Sequence, residues 1–121
     1  MYYFSYNTKI GYLTIIERED SIIGVEFGRL SHPEGLEEET PLLKEAIQQI
    51  REYLEGSRRD FQLPISLSGT PFQIKVWNTL KEIPYGETRS YKYIAESIEK
   101  PKAYRAVGNA NNKNPISIII P

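Results

Sequence analysis

Three short runs rich in aromatic and β-branched residues open the chain: Tyr2 to Tyr6, Tyr12 to Glu17 and Ile22 to Phe27. They are parted by polar breaks of hairpin length, Asn7-Thr8-Lys9 and Arg18-Glu19-Asp20-Ser21. Such side chains fit a pleated, half-buried surface. Breaks this short admit only tight turns, so successive runs must fold back beside one another as an antiparallel meander. A sheet this small needs a second element to cover one face.

The chain supplies a helix for that purpose. Gly28 to Glu39 holds one Pro, two Gly and four Glu and reads as an exposed loop. After it, Thr40 can cap a helix, and Pro41 suits the first helical position, where a missing N–H costs nothing. Leu43, Ile47, Ile50 and Leu54 recur every three or four residues, with Ala46 and Tyr53 alongside, which gives one apolar face to lay on the sheet. Gly56 ends the helix. Ser57 to Ser68 reads as a linker with one short extended piece, Phe61 to Ile65.

From Gly69 on, the period becomes helical. Thr70 and Gln73 have capping-box spacing, each side chain able to satisfy an orphan backbone donor of the other. Phe72, Val76, Trp77, Leu80 and Ile83 line one side of the helix that follows, and Pro84-Tyr85-Gly86 breaks it. Ser90 can cap a shorter helix to about Ser97, with Tyr91, Ile94 and Ala95 at helical spacing. Pro101 opens a third, from Lys102 to about Ala110. Asn111 to Asn114 and Pro115 end it, and Ile116 to Ile120, apolar and β-branched, reads as a buried strand. Two short helices joined through Ile98-Glu99-Lys100-Pro101 form a helix-turn-helix pattern, which serves DNA binding or plain structural packing equally well.

Charge and composition narrow the choice. Residues 1–69 carry 7 Lys and Arg against 12 Asp and Glu, net −5; residues 70–121 carry 8 against 4, net +4. An acidic half followed by a basic one suggests two units, 1–68 and 69–121, the second facing a polyanion. Hydrophobic residues make up 40% of the chain and charged residues 26%, a globular balance rather than a disordered one. No apolar run nears the roughly 20 residues that span a membrane, and no signal peptide opens the chain, so a cytoplasmic protein is expected. There is no cysteine, which excludes disulfides, thiolate metal ligands and a cysteine nucleophile within these residues. The one histidine, His32, sits in a turn-rich loop and reads as solvated; no metal and no cofactor are expected.

Three segments then narrow the function. They are Gly69-Thr70-Pro71-Phe72-Gln73 with Val76-Trp77; Ile83-Pro84-Tyr85-Gly86-Glu87-Thr88 with Ser90-Tyr91 and Ile94-Ala95; and Pro101 to Ala110 leading to Asn114-Pro115-Ile116-Ser117-Ile118-Ile119-Ile120-Pro121. In this order and spacing they resemble the methylated-DNA–protein-cysteine methyltransferase family. The likeness is close over about 50 residues, and the first half fits the family's variable amino-terminal part only in length and pattern. The resemblance implies an α+β fold. A small antiparallel sheet with a helix (ribonuclease H-like, residues 1–68) precedes a mainly helical, winged-helix-like DNA-binding domain, incomplete here (residues 69–121).

The implied activity is one-turnover DNA repair: an alkyl group passes from O6-alkylguanine or O4-alkylthymine to a protein cysteine. The alkylated oxygen lies within the base stack, so the nucleotide must be rotated out of the duplex. The implied partner is double-stranded DNA, entered through the minor groove by a helix with small side chains. Ala103, Ala106, Gly108 and Ala110 fit, although Ala103 and Ala110 suit helix packing equally well. Gly108 costs a helix about 1 kcal/mol relative to alanine, a cost that close approach to DNA explains. By the same resemblance Arg105 is the finger that fills the vacated stack, unless it is an ordinary surface arginine. Tyr91 crowds the phosphate beside the target, unless it serves as a cap or in the core. Ala106 and Asn109 line the DNA-binding face. Asn114 is the hinge to the active-site segment, with Pro115 and Ser117 supporting it; Tyr104 is bulkier than the small residue some members carry there.

In the family Pro121 is followed at once by Cys-His-Arg, whose cysteine is the nucleophile. The resemblance therefore implies a chain truncated just before its acceptor and inactive in transfer, its last apolar run open to self-association. The alternatives are a non-catalytic alkyltransferase-like lesion binder and a sequence-specific regulator with a major-groove helix.

Overall fold

The computed structural model describes all 121 residues, arranged as two compact units. One comprises Met1–Ser66 with Pro115–Ile119, the other Leu67–Asn114 with Ile120–Pro121.

The first unit is a four-stranded sheet covered by a helix. Strands β1 (Tyr2–Thr8), β2 (Gly11–Arg18) and β3 (Ser21–Phe27) form the expected meander, with Phe4 opposite Ile15 and Ile15 opposite Val25. Glu19 and Asp20 join β2 to β3 in a two-residue turn, both at positive φ (50° and 61°), the backbone hand that matches the twist of the flanking strands. The loop after β3 is not wholly irregular. Leu36–Glu37 forms a short strand, β4, parallel to β1, and the sheet order is β3-β2-β1-β4, mixed rather than purely antiparallel. Neither residue is buried, so no hydrophobic pattern announces β4; its pairing rests on backbone bonds, Leu36 N–H to Met1 O and Glu38 N–H to Tyr3 O.

Helix α1 (Pro41–Glu55) has the expected ends: Thr40 accepts from Leu43 N–H, and Gly56 stops it at φ 84°. Its apolar face buries Leu43, Ala46, Ile47 and Ile50, as the sheet buries Leu13, Ile15, Ile22 and Val25. Two buried polar groups are satisfied locally. Glu17 accepts from the Thr40 hydroxyl, and Gln49 bonds both the N–H and the C=O of Gln62. His32 is not simply solvated: its Nε2 lies 2.7 Å from Glu26 Oε1, and its ring meets Tyr3 edge-on at 5.3 Å.

The second unit is helical. Helix α2 (Pro71–Lys81) begins with the complete Thr70–Gln73 capping box, and α3 (Tyr91–Ser97) is capped by Ser90. Between them Glu87 N–H closes onto Pro84 O, and Gly86 at φ 80° takes the turn position that needs it. Helix α4 spans Tyr104–Asn112, two residues later at each end than the sequence pattern suggests. Helix α3 stops in a Schellman arrangement, with Lys100 N–H on Ala95 O and Glu99 at φ 62°. Pro101 then enters a turn closed by Ala103 N–H on Lys100 O, so it shapes the turn instead of opening the helix. Trp77 locks α2 to α4: its Nε1 donates to Ala110 O at 2.9 Å inside the core.

The run Ile116 to Ile120 is buried in part but is no strand. Val25 N–H bonds Pro115 O, Ile116 bridges to Val25, and Ile119 N–H then turns back onto Ser117 O with Ile118 at φ 75°. A β-branched composition reports burial here, while the backbone turns.

Candidate DNA-contact surface on helix α4

Val107, Gly108 and Ala110 are the buried residues of α4, and they set its orientation. Tyr104, Arg105, Ala106, Asn109 and Asn112 are exposed. Arg105, Asn109 and Asn112 fall at i, i+4 and i+7, one stripe of the helix. Ala106 beside that stripe is small, and Lys102 and Lys113 flank the helix, both exposed. The surface is therefore cationic and rich in amide donors, chemistry that suits a polyanion. The Arg105 guanidinium sits 5.9 Å from the centre of the Tyr104 ring, a cation–π distance, and the arginine remains exposed.

Tyr91, the first residue of α3, lies against α4, 45% exposed. A Cβ built on Gly108 would stand 3.1 Å from Tyr91 Cε2 and 3.3 Å from Cδ2. A side chain at position 108 would crowd the Tyr91 ring, which would have to give by a few tenths of an ångström to admit it. Gly108 is thus buried against Tyr91 and lies off the exposed face. Asn111, one turn beyond Gly108, donates from Nδ2 to the Tyr91 hydroxyl at 3.4 Å. Sequence reasoning missed Asn111; its three-residue spacing from Gly108, which puts both on one helix face, was the available signal.

Asn114 is engaged elsewhere. Its Nδ2 donates to Ile120 O at 2.7 Å and closes the segment that contains Pro115 and Ser117. The structure thus joins Tyr91 to α4, leaves Arg105, Ala106 and Asn109 on the open side of that helix, and assigns Asn114 to holding the terminal loop. At the approach to α3, Arg89 pairs with Glu87 at 2.9 Å and lies 5.4 Å over the Tyr93 ring; that carboxylate first, then Tyr93, holds the guanidinium above its ordinary pKa. No three His, Cys, Asp or Glu side chains come together as a metal site, and no helix is long and apolar enough to cross a membrane.

The chain is similar to known proteins in sequence and fold. Residues 1–67 match the family model described as 6-O-methylguanine DNA methyltransferase, ribonuclease-like domain, and residues 71–121 match the DNA binding domain of the same family. The constitutive methylated-DNA–protein-cysteine methyltransferase of Bacillus subtilis (strain 168) is 46% identical over 127 residues, covering 99% of this chain and 77% of that protein. The corresponding protein of Methanosarcina barkeri is 45% identical over 125 residues, covering 100% and 79%. The crystal structure of Mycobacterium tuberculosis OGT in complex with DNA superposes with a TM-score of 0.91 at 36% identity, covering 100% of this chain and 75% of that one.

Proposed function

The chain belongs to the 6-O-methylguanine DNA methyltransferase family, and we propose that it is the lesion-recognising part of a cytoplasmic DNA-repair alkyltransferase. It binds duplex DNA from the minor groove and rotates an O6-alkylguanine or O4-alkylthymine out of the stack. Residues 69–121 carry this work, and residues 1–68 form the ribonuclease H-like domain. The observation that carries the reading is the open stripe of α4, with Arg105, Ala106 and Asn109 beside the anchored Tyr91.

Each residue has a physical task. Tyr91 crowds the phosphate next to the target and favours rotation of the nucleotide. Arg105 enters the vacated stack, where its fork of donors can bond the orphaned base while its charge stays close to phosphates. Ala106 and Asn109 let the helix sit close to the groove. Asn114, bonded to Ile120 O, holds the Pro115–Ser117 segment at the edge of the alkyl pocket. Transfer to protein needs a thiolate, and these 121 residues contain no cysteine. They bind and present the lesion without accepting the alkyl group.

Equilibrium binding to two otherwise identical duplexes, one carrying a single O6-methylguanine, tests this. The alkylated duplex should bind more tightly, affinity should fall steeply with salt as phosphate contacts require, and the protein's intact mass should not change. Equal affinity for both duplexes with a strong sequence preference would instead mark a sequence-specific regulator, and an added methyl group would refute lesion binding without transfer.

A further inference from the structure

The Tyr91 hydroxyl has a hydrogen-bonding problem that one neighbour solves. Asn111 approaches it with Nδ2 at 3.4 Å. A side-chain amide nitrogen donates and does not accept, so the phenol oxygen is the acceptor in this bond. Its own proton must then leave in another direction. This is the one hydrogen bond the hydroxyl makes within the protein. Tyr91 is 45% exposed, so that proton can point to the open side, where an acceptor from outside can take it. A DNA phosphate oxygen offers only lone pairs and meets the requirement.

We infer that Asn111 is a positioning residue for nucleotide rotation: it fixes the Tyr91 phenol as a donor toward the DNA backbone, while Gly108 fixes where the ring stands. The inference rests on the duplex-DNA reading given above. The chemistry at position 111 follows from it. A donor there turns the phenol proton outward. An acceptor would draw the proton inward and leave a phenol lone pair facing phosphate, which repels. An apolar residue leaves the rotor undirected, so part of each encounter presents the wrong orientation.

The test measures binding of an O6-methylguanine duplex by wild type, Asn111→Leu, Tyr91→Phe and the double variant, with thermal unfolding of each. Leucine is a better helix former than asparagine, so Asn111→Leu should unfold no earlier than wild type and any weaker binding is not a folding effect. Tyr91→Phe should bind about tenfold to a hundredfold more weakly, the effect of one hydrogen bond to a charged group, and Asn111→Leu, which leaves the phenol in place but undirected, about threefold to tenfold. The double variant should match Tyr91→Phe within about twofold, because Asn111 acts only through the hydroxyl. Wild-type affinity in Asn111→Leu, or losses that multiply in the double variant, would overturn the inference even if Tyr91→Phe weakens binding as expected. A wild-type chain that does not distinguish alkylated from unmodified duplex would overturn the functional reading itself.

Discussion

Replacing Gly108 with alanine sets two physical effects against each other, and the structure decides how they balance. Alanine in a helix interior is favoured over glycine by about 1 kcal/mol. The new methyl would lie 3.1 Å from Tyr91 Cε2 and 3.3 Å from Cδ2. Ordinary carbon contacts begin near ~3.5 Å, so the ring must retreat by a few tenths of an ångström. In a closed core that overpacking costs about 1–3 kcal/mol. Here Tyr91 is 45% exposed, which gives its ring room to move outward and puts the cost near the low end, about 1 kcal/mol. The two effects nearly cancel, and urea unfolding should place Gly108→Ala within about 0.5 kcal/mol of wild type. Binding should respond differently. A displaced ring breaks the 3.4 Å bond from Asn111 and misplaces the phenol, so anisotropy titration with an O6-methylguanine duplex should show about threefold to tenfold weaker binding. In a Tyr91→Ala background Gly108→Ala should add no further loss. A destabilisation of about 3 kcal/mol would mean the ring is wedged rather than seated. A further loss of binding in the Tyr91→Ala background would return Gly108 to direct contact with DNA.

Two further outcomes concern the cores of the separate units. Trp77→Phe removes the buried bond to Ala110 O and leaves unfilled space, but that carbonyl keeps the Lys113 N–H at 3.1 Å; urea unfolding should show a loss of about 2 kcal/mol, and a loss below about 0.5 kcal/mol would contradict the assigned lock. The Tyr6 hydroxyl is buried beside the Glu39 carboxylate without a well-formed hydrogen bond, so Tyr6→Phe should be neutral or stabilising by about 1 kcal/mol. Burial first, then the neighbouring Glu39 carboxylate, holds the Tyr6 phenol well above its ordinary pKa. The folded state then keeps a proton that the unfolded chain releases, so stability present below the unfolded phenol value, about 10, is lost as pH rises past it. Wild type should therefore lose stability more steeply than Tyr6→Phe above that pH, and equal slopes would refute the assignment.

Where local chemistry decides a feature, the sequence is a good guide. The Thr70–Gln73 box, the Thr40 and Ser90 caps and the stop at Gly56 follow from side-chain oxygens and backbone freedom within a few residues, and each stands as the pattern implies. What depends on distant partners is harder to read. Strand β4 exists because Met1 and Tyr3 offer backbone groups to exposed residues far along the chain. His32 is held by Glu26 and Tyr3, neither of which its turn-rich surroundings reveal. Ile116 to Ile120 has a strand's composition, but Asn114 grips Ile120 O and Ile118 takes a positive φ, so the chain turns. The exposed positions of α4 were legible from the motif as residue types. The setting of Gly108 was not, because it is made by the ring of a residue seventeen positions earlier.

Fluorescence of 2-aminopurine stacked directly against an O6-methylguanine reports whether that nucleotide leaves the helix. Saturating the duplex with wild-type protein should raise the emission as the probe loses its stacking neighbour, and Arg105→Ala at saturation should give little of that rise. Unchanged emission on binding, or a full rise with Arg105→Ala, would contradict a helix α4 that draws the damaged nucleotide out and fills its place.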